Sequence, residues 1–256
     1  MKTSVIIPAL NEENNILRTL LSIKKQQGDF EIIVVDGGST DQTAEIARPH
    51  ASVISSERGR AVQMNAGARL ASGEILLFLH ADSILHCDAF DHLSRVLKDP
   101  EIIGGTFTLR FDSDKLLLRF YTFFTRFKFR YFHYGDQGIF VRRSTFEQFG
   151  GFKEIPIMED IDFIRRMHKR GRVALIRLPV TTSARRFLKR GLLRQQLLNT
   201  ILVSLYVLGV KPETLSRWYL PEPATTLRRT GFKSDESRFD SQAGIGSASY
   251  QNPDYD

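Results

Sequence analysis

Three short apolar runs, Thr3–Ile7, Glu31–Val35 and Glu74–Leu79, limit most strongly what this chain can fold into. The first two are rich in Val and Ile, and each run stops at polar or Gly-rich residues, so all three read as buried strands of a parallel sheet. Within Glu12–Gln27, Ile16, Leu20 and Ile23 recur at helical spacing behind Asn11, a suitable N-cap. Gln42–Ala47 reads as a short helix capped by Ser39 or Thr40; further helices are expected from about Arg60 to Ala71 and from Asp88 to Leu97. This alternation predicts an α/β fold: a single open, mostly parallel sheet flanked by helices and wound with right-handed crossovers. In such sheets ligands bind outside the carboxyl ends of the strands.

Those ends carry the chemistry. The first strand runs into Pro8-Ala9-Leu10-Asn11-Glu12-Glu13, the second into Asp36-Gly37-Gly38-Ser39-Thr40-Asp41, the third into His80-Ala81-Asp82-Ser83. Singly, Asn11 and Asp82 are also helix caps and Asp36-Gly37 a turn. Together they bring amide, carboxylate and imidazole groups to one sheet edge, which points to a cleft for a polar ligand. Further along, Glu159-Asp160-Ile161-Asp162 starts a helix that continues to Lys169; acids there also suit the helix dipole, and Glu159 and Asp162 share a face.

These segments, together with Gly59-Arg60-Ala61-Val62-Gln63-Met64-Asn65-Ala66-Gly67-Ala68 and Gly135-Asp136-Gln137-Gly138, occur in an order that resembles the family-2 glycosyltransferases with the A-type, Rossmann-like nucleotide-sugar fold. The resemblance covers about residues 3–190. It implies transfer of a sugar from a nucleoside diphosphate sugar, UDP-linked first and GDP-linked next, usually with inversion at the anomeric carbon. It implies that Pro8, Ala9, Asn11, Glu12 and Asp36 hold the nucleoside, that Arg60 pairs with the diphosphate, and that Gln63 and Asn65 trim the cleft wall. Asp82 matches the position that holds Mn²⁺ or Mg²⁺, which prefer oxygen ligands. Two residues earlier the commonest pattern has a carboxylate, whereas this chain has His80, suited to a ribose hydroxyl or to Mn²⁺. Asp160 matches the catalytic base, with Glu159 beside it. Asp136, Gln137, Arg185 and Arg186 fall on the acceptor side.

Composition narrows the partners. The 256 residues carry a net charge of +7, and the last 35 contribute two negative charges to it, so the first 221 hold +9. Leu116–Tyr134 contains nine aromatic residues and four cations without an acid, and Arg185–Arg194 is also basic. Interleaved rings and cations suit single-stranded nucleic acid, but beside a transferase core they point to an anionic membrane surface and a lipid-linked hydroxyl acceptor. Leu192–Val210 is apolar but interrupted by Arg194, Gln195, Gln196 and Asn199, short of the ~20 apolar residues that span a bilayer. With one cysteine, Cys87, and Met1-Lys2-Thr3 running straight into a strand, the chain is expected in the cytoplasm, peripheral at the inner face of the membrane. The expected organisation is a transferase domain over 1–221, with a nucleotide-sugar half to about 108 and an acceptor half ending in amphipathic helices, then a disordered tail over 222–256.

Two rival readings are weaker. A nicotinamide-binding protein would need Gly-x-Gly-x-x-Gly after the first strand, and the near match Gly244-Ile245-Gly246 lies in the tail. A catalytically inactive nucleotide-binding membrane protein would accommodate His80 but not the retained Asp82, Glu159 and Asp160.

Overall fold

Strand β1 (Thr3–Ala9) is buried along its full length because both of its faces are covered. Val5 and Ile7 enter one core and Ile6 the other, which is why the run shows no polar alternation. These details come from a computed structural model of the protein, which describes residues 1–116, 118, 122 and 135–219. Most of the aromatic-basic segment Leu116–Tyr134, and all of 222–256, lie outside the described residues.

On the first face, helices α1 (Ile16–Lys24), α2 (Thr43–Ala47) and α4 (Ala89–Val96) pack through Ile16, Leu20, Ile23, Ala47, Phe90 and Leu93. The second face is covered by α3 (Arg60–Leu70), α5 (Arg143–Gln148) and α6 (Glu159–Arg170). Gly67 lets α3 approach closely: a Cβ there would lie 2.5 Å from Ile6 Cγ2. Beneath α6, Phe78, Phe146, Phe152 and Phe163 interlock, with Phe152 and Phe163 centroids 4.6 Å apart. Burying each such ring contributes on the order of 1.5–3 kcal/mol, and here it ties the start of α6 to the end of a central strand.

Among the described residues eight strands form one sheet in the order β3-β2-β1-β4-β7-β6-β8-β5. The half made of β3 (Ser52–Ser55), β2 (Phe30–Asp36), β1 and β4 (Ile75–Phe78) is parallel, with Ala9 opposite Asp36 and Ile6 opposite Phe78. Beyond it, β7 (Ile139–Arg142) runs antiparallel to both β4 and β6 (Ile102–Phe111), while β8 (Arg172–Thr182) is parallel to β6 and antiparallel to β5 (Ser83–Ile84). Pairing of Ile139 with Phe78 brings the turn at Gly135–Gln137 to the end of β4. Pairing of Thr182 with Ser83 brings the end of β8 beside Asp82. Three further helices follow: α7 (Arg185–Arg190), α8 (Leu192–Val207) and α9 (Pro212–Tyr219).

Two expected caps are corrected. Asn11 does not cap α1, which begins at Ile16; it adopts φ 54 and joins two loops instead, its N–H donating to Ser39 Oγ and its Oδ1 accepting from Thr40 N–H. Neither Ser39 nor Thr40 caps α2, because Thr43 starts it and donates its N–H to Asp41 Oδ1 at 3.0 Å.

At the opposite edge, Glu31 fastens β1, β2 and the loop before β4. Its Oε1 accepts from the Ser4 hydroxyl at 2.5 Å and from the Ser72 N–H and hydroxyl at 2.6 and 2.9 Å. Burial works to raise its pKa, but these hydrogen bonds and Lys2 outweigh it and hold Glu31 at about 2, below the ordinary 4.5. A lowered folded-state pKa means stability that is fully present above 4.5 and lost as pH falls toward 2. Glu31→Gln should therefore be less stable than the parent near neutral pH, with the difference in urea midpoint narrowing as pH falls from 4.5 to about 2.

Candidate active site at the sheet edge

The turns after β1 and β2 form the first wall. Glu12 N–H donates to Thr43 Oγ1 at 2.7 Å, so the loop holding Glu12 is pinned to α2. Asp36 is buried, and its carboxylate accepts from the N–H groups of Gly38 and Ser39, shaping its own turn. Pro8 and Ala9 are the last residues of β1, fixed by the β2 register.

Gln63 and Asn65, expected on the cleft wall, are interior fasteners. The Gln63 amide donates to Ala9 O at 2.9 Å and to Val35 O at 2.8 Å, holding the two strand ends together. Asn65 exchanges two hydrogen bonds, both 2.9 Å, with the backbone of Phe152. Gln137 is also fully buried, under the turn that presents Asp136.

Three acids, Glu12, Asp82 and Asp136, and four basic side chains, His80, Arg60, Arg185 and Arg186, converge on the edge. His80 Nδ1 lies 3.1 Å from Asp136 Oδ1. Burial opposes the imidazolium, but Asp136 more than compensates and raises the His80 pKa. Burial likewise works to raise Asp136, yet His80, Arg60 and Arg186 hold it at about 2. The Asp82 carboxyl is pushed up by burial and by the charges of Asp136 and Glu12, against His80 and Arg185. Arg185, expected on the acceptor side, instead pairs with Glu12 and reaches Asp82 Oδ2 at 3.5 Å. The β8–α7 corner lies beside Asp82, and Thr182 there donates to Asp82 Oδ1 at 3.3 Å.

At the start of α6 the two acids have different surroundings. Met158 adopts φ 69, a conformation that costs a non-glycine residue about 1–3 kcal/mol and that turns the chain sharply into the helix. Glu159 is only 1% exposed; its Oε1 takes Arg60 Nε at 2.7 Å, and its Oε2 has no hydrogen-bond partner among the described residues. Burial raises the Glu159 carboxyl despite Arg60, and Asp160 adds to the shift. Asp160 faces a cleft lined also by Arg60, Phe111, Asp136, Arg186, Asn199 and Tyr219. Arg186 bonds the Tyr219 phenol there. Asp162 is structural: Lys153 and Arg166 hold it at 2.8 and 2.7 Å. Sequence reasoning missed Thr182 and Tyr219, which no motif marks and which only the folded C-terminal half brings to the edge.

Such an edge can take an anionic ligand on its cations, an oxygen-seeking cation on Glu12 and Asp82, and a hydroxyl beside Asp160.

Residues 4–153 match the model of Glycosyl transferase family 2. A PGL/p-HBAD biosynthesis glycosyltransferase of Mycobacterium tuberculosis is 34% identical over 185 residues, covering 62% of this chain and 67% of that protein. Among solved structures, Staphylococcus aureus TarS 1–349 in complex with UDP superposes with a TM-score of 0.58 at 21% identity, over 72% of this chain and 61% of that one. A mannosyltransferase from Pyrobaculum calidifontis in complex with GDP-Man and Mn²⁺ gives 0.56 at 25% identity, over 71% of this chain and 56% of its own. The chain thus spans less than two thirds of these solved chains, and the TarS likeness establishes the A-type fold.

Proposed function

The chain belongs to glycosyl transferase family 2, and on that premise we propose that it moves a sugar from a nucleoside diphosphate sugar to a lipid-linked hydroxyl acceptor with inversion at the anomeric carbon. The observation that carries this reading is the division of labour at the start of α6: Glu159 is buried on Arg60, while Asp160 faces the cleft. In this reading Asp160 takes the proton of the acceptor hydroxyl as its oxygen attacks the anomeric carbon in a single in-line displacement. The rigid helix start keeps that base aligned. Glu159 holds Arg60 toward the leaving diphosphate, and Arg186 and Tyr219 border the acceptor's approach.

The nucleoside is assigned to the Pro8–Glu12 and Asp36 turns. UDP is favoured and GDP next; the solved relatives carry one of each. The carboxylates of Glu12 and Asp82 fit a Mn²⁺ or Mg²⁺ ion, since one guanidinium already lies between them as a stand-in cation. When bound, such an ion supplies Lewis-acid stabilisation of the leaving diphosphate. His80 is engaged with Asp136 and is read as a positioning group.

Support for a lipid acceptor comes from α8. Asn199 and Leu202 on its inner side line the cleft, while Leu193, Leu197, Ile201 and Leu208 form an exposed stripe on the opposite side. Lys189, Arg190, Arg194 and Lys211 flank the stripe, and no acid occurs from 183 to 212. Among the described residues no helix is long and apolar enough to cross a membrane. The attachment proposed from this basic, apolar stripe is peripheral, at the inner face.

Asp160→Asn should lower turnover by ~10²–10⁴ with donor affinity little changed, and Glu159→Gln should have the milder effect on turnover. Steady-state kinetics checks this; near-normal turnover of Asp160→Asn beside an inactive Glu159→Gln moves the base to Glu159. For the membrane, each nearby cation is worth ~1 kcal/mol against anionic lipid. Co-sedimentation with phosphatidylglycerol vesicles should therefore exceed that with phosphatidylcholine, fall as salt rises, and weaken in Leu197→Asp. Equal binding to both vesicle types contradicts the electrostatic attachment.

A further inference from the structure

Both oxygens of Asp82 are engaged by one corner of the chain. Thr182 donates to Oδ1, and Arg185, three residues later, reaches Oδ2 at 3.5 Å while bonding Glu12. Glu12 and Asp82 are both mostly covered and share this one guanidinium, so the corner brings two carboxylates together. Buried carboxylates need a partner cation. Here the chain supplies its own, from a residue 173 positions away from Glu12 whose side chain is still half exposed.

We propose that Arg185 is a displaceable counter-cation: its guanidinium sits between Glu12 and Asp82 where a divalent ion binds, and it must leave for that ion to be admitted. The inference rests on the reading of Asp82 as a metal ligand. An oxygen-bound ion needs the carboxylate oxygens that now face Arg185. A divalent ion and a guanidinium on the same oxygens would also repel each other, in a site where water screens them poorly. The half-exposed side chain can swing outward without disturbing the core.

The test is Mn²⁺ alone, titrated into the full chain with free ion read by electron paramagnetic resonance. Wild type, Arg185→Ala, Arg185→Gln and Asp82→Asn are compared without any nucleotide. Both Arg185 variants should bind Mn²⁺ several-fold more tightly, about fivefold for a pair at the top of the exposed range, and Asp82→Asn should bind more weakly than wild type. Both Arg185 variants should also melt below wild type without the ion and gain more on adding it. Unchanged or weaker Mn²⁺ binding in the Arg185 variants, with Asp82→Asn still impaired, overturns the counter-cation while leaving Asp82 as the ligand. Equal binding by all four proteins, or none by any, overturns both.

Discussion

Parallel hydrogen bonding of β1 between β2 and β4 is the constraint on which the rest of the structure depends. It sets Ala9 against Asp36 and Ile6 against Phe78, so three chain segments leave the sheet at one edge with their polar residues side by side. The Gln63 amide fastens two of those ends through Ala9 O and Val35 O, with the amide fully buried. Antiparallel β7 and the short β5–β8 pairing then carry the same edge into the second half, delivering Asp136, Thr182 and Arg185.

Charge balance is the second layer. Glu12 with Arg185, His80 with Asp136 and Arg60 with Glu159 each join segments far apart in sequence. A buried carboxylate without a cation is costly, so each pair stabilises the closed arrangement of the edge. Those pairs also determine the chemistry available. Cations committed to carboxylates can exchange partners with an anionic diphosphate, and carboxylates committed to cations can exchange them for an ion. Asp160 faces the cleft from a helix start anchored by four phenylalanines.

What was legible in the sequence follows from which signals are local. The runs at Val5, Val34 and Leu77 stood out because strands covered on both faces are apolar without alternation. Helix α1 was legible through Ile16, Leu20 and Ile23, all fully buried. β6 and β8 were not: β8 is buried only at Ile176, Val180 and Thr182, without a period of two, and carries Arg172 and Arg177, while β6 includes the Gly104-Gly105 pair. Candidate site residues on the strand ends do gather at one edge. The backbone bonds of Gln63 and Asn65 were hidden because an amide that satisfies backbone groups has no local mark to separate it from one facing a ligand. The pairing of Arg185 was hidden for a different reason: its partner Glu12 lies at the other end of the domain, and the β8–β5 pairing brings the two together.

The most direct test of this account is calorimetric titration of the full chain with UDP and with GDP, each with and without Mn²⁺, in parent and Asp82→Asn proteins. The account predicts one saturable site, UDP bound more tightly than GDP, Mn²⁺ strengthening the binding, and a loss of about tenfold or more in Asp82→Asn when Mn²⁺ is present. Binding that is indifferent to Mn²⁺ and equally tight in Asp82→Asn would contradict it, because the diphosphate would then lie away from the edge that the parallel strands build.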